Sequence, residues 1–226
     1  MPPRSLAPGL VRGLRAQQPL ARIASGVPAL DALLGGGIPC GVLTELVGER
    51  SSSGRTMLAH RLTAAVTAMG ALAACIDLAD ALDPAHAEAA GIRLDRLLWV
   101  RPGSVRIALS AAEHVLETGG FRLVLLDLGN LAAVRPATRQ MPTAGAWIRL
   151  ARGAARSQAA MLIVGVRCLV GTFAALRLEV ARYPASAFVG SAACALFTGL
   201  TSAVHLRKSR LGPPVATSTQ VAGVTG

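Results

Sequence analysis

The chain has 226 residues, of which 52% are hydrophobic, 15% charged and 3% aromatic. This length and composition predict one main domain whose core is built from alanine, leucine and valine, which favours a helix-packed, mainly parallel sheet over a β-sandwich. The net charge of +11 favours an anionic partner such as nucleic acid or an acidic protein surface, although an alanine- and arginine-rich proteome would give the same bias.

Residues 1–21 are basic: they include Arg4, Arg12 and Arg15, and no acid occurs before Asp31. This is the charge pattern of an organellar transit peptide, but the segment lacks the apolar core of a secretory signal. We interpret it as a basic N-terminal arm or short helix of a cytoplasmic bacterial protein.

Between residues 22 and 212, short apolar runs alternate with longer segments of helical period, which predicts repeated strand, helix, strand units and a largely parallel sheet. The predicted strands are Leu43–Val47, Leu72–Leu78, Leu97–Val100, Leu123–Leu126 and Met161–Val166. The predicted helices are Thr56–Met69, Val105–Thr118 and Ala144–Ser157. Leu176–Ala181 and Ser202–Lys208 alternate apolar and charged residues, which is typical of antiparallel edge strands.

The C-terminal part of the chain contains two segments of low charge. Ala185–Val204 has twenty residues without a charged side chain. It is rich in small residues and is interrupted by Gly190 and Gly199, which favours a strand hairpin over a membrane span. Residues 213–226 are rich in proline, threonine, serine and glycine, which predicts a disordered tail.

The cysteines are far apart in the sequence, form no Cys-x-x-Cys pair and stand in apolar contexts. They are Cys40, Cys75, Cys168 and Cys194. This pattern predicts free, buried thiols in a reducing compartment and suggests no metal site.

A candidate phosphate-binding loop, Gly48–Thr56, follows the first predicted strand and precedes the first predicted helix. In such a loop, glycines permit a tight turn, backbone N–H groups and a helix N-terminus attract the anion, a lysine pairs with the outer phosphates and a hydroxyl holds magnesium. Here five residues separate Gly48 from Gly54 where the motif has four, and Arg55 stands in the lysine position. Because a planar guanidinium cannot reproduce a compact ammonium group, we predict a degenerate nucleotide site that retains Ser53, Gly54 and Thr56. A serine-rich helix cap is the alternative.

Asp127 ends the fourth predicted strand. Ligands of open α/β sheets bind at the carboxyl ends of the strands, so that Asp127 could hold a magnesium ion through water. Acids commonly end apolar strands, however, and this feature alone does not identify a site.

Several segments, in order, resemble the core of the RecA recombinases. They are Ser25–Asp31, Gly35–Gly41, Thr44–Gly48, Ile76–Pro84, Leu125–Asp127, Leu176–Arg182 and Val204–Pro214. The resemblance implies an α/β fold over residues 22–212: a RecA-like P-loop core with a mainly parallel central sheet, flanking helices and antiparallel edge strands. It also implies ATP and magnesium as the ligands of an intact site.

The resemblance also shows which parts of that site are altered. In the family, an acid activates the attacking water; the matching position here is Ala79, and Asp80 follows one residue on. The glutamine that senses the γ-phosphate in the family corresponds to about Arg167. The resemblance implies adenine contacts at Asp83 and His86. Without a carboxylate at the first position no general base is offered, so we do not expect ATP hydrolysis. Residual binding of ATP and magnesium is the alternative.

The two DNA-binding loops of the family correspond to short segments here. The first keeps Arg135 and Arg139, and the second, after Arg167, has only a few residues, so we do not expect strand exchange. Lys208 and Arg210 match residues that reach a neighbour's nucleotide in RecA filaments. The candidate contacts to DNA or to a partner are therefore Arg135, Arg139, Arg207, Lys208 and Arg210. For Lys208 and Arg210 the alternatives are contact with phosphate and a solvated edge.

A RecA-like core without further domains and with an altered ATP site is similar to the ImuA proteins of bacterial damage-induced mutagenesis. That resemblance implies a non-recombinase accessory protein of the SOS response and of translesion DNA synthesis. Its partners would be an ImuB-like homologue of Y-family polymerases and, in addition, RecA, an error-prone DNA polymerase or DNA. The alternatives are a divergent DNA-dependent ATPase, a cell-division inhibitor resembling SulA, and a protein that caps RecA filaments.

Overall fold

The structure is a computed structural model that describes residues 20–48, 53–131, 141–189, 196–212 and 217–223, with the backbone alone for 182–189, 196–200 and 222–223. The strands are β1 (Arg22–Ile23), β2 (Ile38–Pro39), β3 (Leu43–Val47), β4 (Leu72–Asp77), β5 (Leu97–Val100), β6 (Phe121–Asp127), β7 (Ala160–Gly165), β8 (Leu176–Val189), β9 (Leu196–Ser209) and β10 (Ser218–Gly223). The helices are α1 (Pro28–Leu33), α2 (Arg55–Ala68), α3 (Pro84–Ala89), α4 (Val105–Thr118) and α5 (Ala144–Ser157). Short 3₁₀ turns occur at Leu94–Arg96 and Gly171–Phe173.

The main sheet has eight strands in the order β10, β9, β8, β3, β7, β6, β4, β5. From β8 to β5 all neighbouring strands are parallel, and β9 and β10 add antiparallel pairings at one edge. The short strands β1 and β2 form a separate antiparallel pair. The mainly parallel sheet with antiparallel edge strands confirms the predicted fold class.

Both faces of the sheet are covered, which explains why its central strands are apolar throughout. Side chains alternate between the two faces of a strand. In β6, Leu123 and Leu125 pack with α1 and α2, whereas Val124 and Leu126 pack with α4 and α5. In β3 to β7 the predicted ends of the strands differ from the observed ends by no more than two residues, whereas β8 and β9 extend beyond the predicted Leu176–Ala181 and Ser202–Lys208.

The helix α4 shows why the long helices could be predicted. The Ser104 side chain accepts a 3.3 Å hydrogen bond from the N–H of Ile107 at the N-terminus, and Gly119, with φ +72°, follows the last helical residue. Ala108, Ala112 and Leu116 repeat at helical spacing and are buried. The predicted bounds of α4 and α5 are confirmed, and α2 begins and ends one residue earlier than predicted.

The C-terminal residues differ from the prediction. Disorder was expected from Pro213 onward, but Ser218–Gly223 forms β10 and pairs with β9. The physical reason is that Val221 is buried, 2% exposed, in the core on the α1 side of the sheet. Residues 213–216 and 224–226 lie outside the described ranges.

Two further expectations can be compared with the structure. The described parts of the uncharged stretch Ala185–Val204 belong to β8 and β9, which pair as antiparallel strands. Among the described residues, no helix combines the length and apolar character that crossing a membrane would require. Cys40 and Cys75 are buried, as expected, whereas the prediction of burial is wrong for Cys168, which is exposed in the turn after β7. Cys194 and residues 1–19 of the N-terminal arm lie outside the described residues.

A buried carboxylate in the middle of β3 holds the connection between β7 and β8. Glu45 is 1% exposed, and its Oε1 accepts hydrogen bonds from the N–H groups of Leu169 (2.5 Å) and Val170 (2.8 Å). Its Oε2 accepts a 2.8 Å hydrogen bond from Nε of Arg177 and a 3.5 Å contact from the thiol of Cys168. A buried charge is costly unless it is paired and hydrogen-bonded, and these donors meet both conditions.

Replacing Glu45 by glutamine should lower the free energy of unfolding by about 3 kcal/mol, because the partly buried guanidinium of Arg177 loses its counter-charge. A matched control is Glu179→Gln, which breaks a pair with Arg207 whose side chains are 38% and 53% exposed. Its expected effect is below about 1 kcal/mol. Urea denaturation of both variants measures the difference, and equal losses would contradict a special role of Glu45.

Candidate functional site

The two ends of the candidate phosphate-binding loop are in the predicted place, between β3 and α2. Gly54, with φ +93°, immediately precedes α2, and this left-handed conformation explains a glycine there. A side chain at Gly48 would collide with the side chain of Ser53. The buried Ser53 is in turn anchored through its carbonyl oxygen, which accepts a 2.8 Å hydrogen bond from the hydroxyl of Ser202 in β9. Residues 49–52 lie outside the described ranges.

Arg55, at the lysine position, contacts the main chain of the loop and of a neighbouring strand. One terminal nitrogen donates to the carbonyl oxygen of Gly48, at 2.5 Å, and to that of Gly165, at 3.2 Å. These residues lie at the carboxyl ends of β3 and β7. The Nε of Arg55 is buried and has no hydrogen-bond partner within the part of the chain that the structure describes. The guanidinium therefore bridges two strand ends, while Thr56 is exposed on the first turn of α2.

Two carboxylates lie side by side at the same edge of the sheet. Asp77 ends β4 and is the register partner of Asp127, which ends β6. One oxygen of Asp127 accepts a 2.8 Å hydrogen bond from the N–H of Gly129. Burial raises the pKa of Asp127, against the hydrogen bond from Gly129 and the charge of Arg55, which both lower it, and the nearby Asp77 raises it further.

Asp77 is a site residue that the sequence analysis missed as such. It is 2% exposed, and its Oδ2 accepts a 2.8 Å hydrogen bond from the N–H of Leu82. Its Oδ1 is buried without a hydrogen-bond partner among the described residues. The signal in the sequence was the same as for Asp127, an acid at the end of an apolar strand.

The residues at and next to the position of the family's catalytic acid already contact other residues of the chain. Asp80 forms a double hydrogen bond with the guanidinium of Arg101, which also lies 5.0 Å above the ring of Trp99. The paired hydrogen bonds lower the pKa of the Asp80 carboxyl. Ala79 lies beside Gly129, where an added Cβ would be 3.0 Å from the Ala79 methyl carbon. Arg167 is exposed in the turn after β7.

The candidate adenine contacts form the N-terminal cap of α3. One oxygen of Asp83 accepts hydrogen bonds from the N–H groups of Ala85 (2.8 Å) and His86 (3.2 Å). The other lies 3.0 Å from Nδ1 of His86, and these bonds lower the pKa of the Asp83 carboxyl, with the imidazole as the largest cause. An aspartate followed by a proline, as at Asp83 and Pro84, is typical of a helix N-terminus and predicts this cap. An adenine contact at Asp83 and His86 stays a prediction.

The basic residues near the end of β9 contact groups of their own chain. Nε of Arg207 pairs with Glu179 at 2.6 Å. Lys208 donates to the carbonyl oxygens of Gly171 (3.0 Å) and Thr172 (3.1 Å), and Arg210 donates to that of Thr172 (3.0 Å). Their contact with DNA or a partner stays a prediction, as does that of Arg135 and Arg139, which lie outside the described residues.

Asp127 should make stability depend on pH. Because burial raises the pKa of Asp127, the folded chain binds the proton of this carboxyl more tightly than the unfolded chain does. The protonated carboxyl therefore contributes its full stabilisation below the unfolded pKa of about 4, and this stabilisation is lost as the pH rises through the folded pKa. We expect Asp127→Asn to raise the free energy of unfolding more near pH 8 than near pH 4. Urea denaturation at both pH values measures the gain, with the exposed Asp95→Asn as the charge control. A gain that does not depend on pH would contradict the role of burial.

Comparison with known proteins identifies the family. Residues 9–181 match the family described as RecA N-terminal domain. Over 125 residues, 55% of this chain, the sequence is 42% identical to the RecA protein of Rubrobacter xylanophilus, 38% to that of Desulfotalea psychrophila and 40% to that of Lactococcus lactis subsp. cremoris. These matches span 36%, 34% and 32% of the relatives, so the similar region is about a third of their length. The chain belongs to the family of the RecA N-terminal domain.

Proposed function

We propose that this chain is a non-recombinase accessory protein of the bacterial DNA-damage response, which acts as an adaptor in translesion DNA synthesis and resembles ImuA. Its partners are an ImuB-like homologue of Y-family polymerases and, in the same assembly, RecA, an error-prone DNA polymerase or DNA. The observation that carries the proposal is the contact of Arg55 with the carbonyl oxygens of Gly48 and Gly165. Membership of the RecA N-terminal domain family supports the link to DNA damage.

The Arg55 contact argues against ATP-driven work at the loop. A lysine in this position would extend its ammonium group toward the outer phosphates. The guanidinium instead satisfies two main-chain carbonyls at the ends of β3 and β7. Turning it toward a phosphate would break these hydrogen bonds, at about 1 kcal/mol each. Arg55 therefore supports a structural role for the loop.

The neighbourhood of Ala79 supports the absence of a general base. An effective base needs a proton acceptor within hydrogen-bond reach of the attacking water. A methyl group occupies the matching position, and the carboxylate of Asp80 is bound on both oxygens by Arg101. Recruiting Asp80 would require breaking that pair.

The short turn between β7 and β8 supports a role other than strand exchange. Its backbone is fixed from one side by Glu45, which binds the N–H groups of Leu169 and Val170. From the other side, Lys208 and Arg210 bind its carbonyl oxygens. A segment held at both its donors and its acceptors is poorly suited to wrap around a DNA strand.

The purified chain should show no DNA-stimulated ATP hydrolysis above the rate of a buffer control, because the loop lacks the lysine and Ala79 stands in place of the general base. A coupled phosphate-release assay with and without single-stranded DNA measures it, with Arg55→Ala as the matched variant. Robust turnover that Arg55→Ala abolishes would overturn the proposal.

One observation favours a second candidate, a divergent ATPase. The hydroxyl of Thr56 is exposed at the start of α2, and Asp127 lies at the carboxyl edge of the sheet, where they match the magnesium contacts of the family. This candidate requires ATP-dependent turnover that is lost in Thr56→Ala and in Asp127→Asn. The same phosphate-release assay therefore decides between the two functions.

The adaptor role should be visible in complexes. Co-expression with the Y-family-polymerase-like protein of the same genome should give a complex that survives affinity purification and gel filtration. Arg55→Ala should leave this complex intact, because nucleotide is not required for it. Co-purification with a tubulin-like division protein, and none with the polymerase-like protein, would instead favour the SulA-like function.

A further inference from the structure

A groove of about 660 Å³ lies at the amino ends of the central strands. Its apolar wall includes Val42 and Leu43, at the start of β3, together with Phe173 and Leu211. The candidate phosphate-binding loop begins at the opposite end of the same strand, so the two sites are separate. Volumes of this size are typical of sites that bind ligands.

Main-chain hydrogen bonds fix the walls of this groove. The N–H of Ala175 donates to the carbonyl oxygen of Leu43, and the N–H of Arg210 donates to that of Ala175, both at 2.9 Å. Gly41 donates to Ala159 at 2.9 Å. A site with a fixed backbone loses little conformational freedom when it binds a ligand.

Two arginines give the groove its charge. Arg22 is held by the carbonyl oxygens of Leu34 (2.6 Å) and Gly37 (3.1 Å), and Arg210 by that of Thr172 (3.0 Å). Both line the groove, and the described residues that line it include no acid. The held guanidinium groups therefore present positive charge beside an apolar wall.

The surroundings of Arg210 are also short of negative charge. Burial, followed by the like charges of Arg177 and Arg210, lowers the pKa of the neighbouring Lys208. The carboxylate of Glu45 raises it, but that group is already paired with Arg177. A carboxylate from another molecule would reduce this repulsion.

We propose that this groove binds an acidic, leucine-containing segment of a partner protein, with the apolar side chains against Val42, Phe173 and Leu211 and the carboxylates at Arg22 and Arg210. Single-stranded nucleic acid fits less well, because it needs several aromatic rings for stacking and the wall offers one, Phe173. The inference goes beyond the proposed function and does not depend on it.

Two other occupants fit the charge of the groove poorly. The segment 1–19 of this chain carries Arg4, Arg12 and Arg15 and no acid, which repels Arg22 and Arg210. A second copy of the chain brings a net charge of +11. Both remain outcomes that the experiment distinguishes.

The test uses the full chain and three labelled, capped peptides of equal length: one of leucine and glutamate, one with serine for leucine, and one with lysine for glutamate. Fluorescence anisotropy measures binding at low salt. The leucine–glutamate peptide should bind about tenfold more tightly than either of the others, because it alone supplies both apolar contacts and carboxylates.

Variants locate the binding. Arg210→Ala and, as a second variant, Val42→Asp should each weaken the binding of the leucine–glutamate peptide about tenfold. The control Arg93→Ala, which removes an exposed charge near β5, should change this affinity less than about twofold. Thermal melting followed by circular dichroism checks that each variant is folded.

Three results would overturn the proposal. The first is no binding of the leucine–glutamate peptide to the full chain, as expected if residues 1–19 already fill the groove. The second is unspecific attraction, which would appear as binding of the serine–glutamate peptide as tight as that of the leucine–glutamate peptide, or as an Arg93→Ala effect as large as that of Arg210→Ala. The third is a dimer in sedimentation experiments that Arg210→Ala dissociates, which assigns the groove to a second copy.

Discussion

The carboxylate of Glu45 links segments that are far apart in the chain but adjacent in the sheet. Its partner Arg177 is 132 residues away, and Leu169 is 124 residues away. Because β3 lies between β7 and β8, the carboxylate buried at its centre reaches both β8 and the turn that joins β7 to β8. That turn carries Phe173, so the shape of the groove also depends on this one interaction.

The strand β3 thereby connects two different surfaces. At its carboxyl end, the Arg55 guanidinium bridges the strand to β7, beside the paired ends of β4 and β6. At its amino end, Leu43 contributes to the apolar wall between Arg22 and Arg210. Ligands of open α/β sheets bind at the carboxyl ends of the strands, so the groove at the amino end of β3 lies away from that edge.

The sequence allowed the parts of the fold that depend on local pattern to be predicted. The helix α4 is an example, since its core face repeats every three or four residues and Ser104 marks its start. Contacts between distant residues could not be predicted in this way: no local pattern pairs Glu45 with Arg177, or indicates that Lys208 binds the carbonyl oxygens of a turn. Cys168 was misjudged because its neighbours in sequence are apolar, whereas the residue lies in an exposed turn between β7 and β8.

The bridge made by Arg55 has a consequence for regulation. GTPases change conformation because the γ-phosphate makes contacts with their switch segments that are lost on hydrolysis. Here a side chain of the protein supplies a permanent cation to the ends of β3 and β7. Because a side chain joins these two strand ends, their contact does not depend on a bound phosphate.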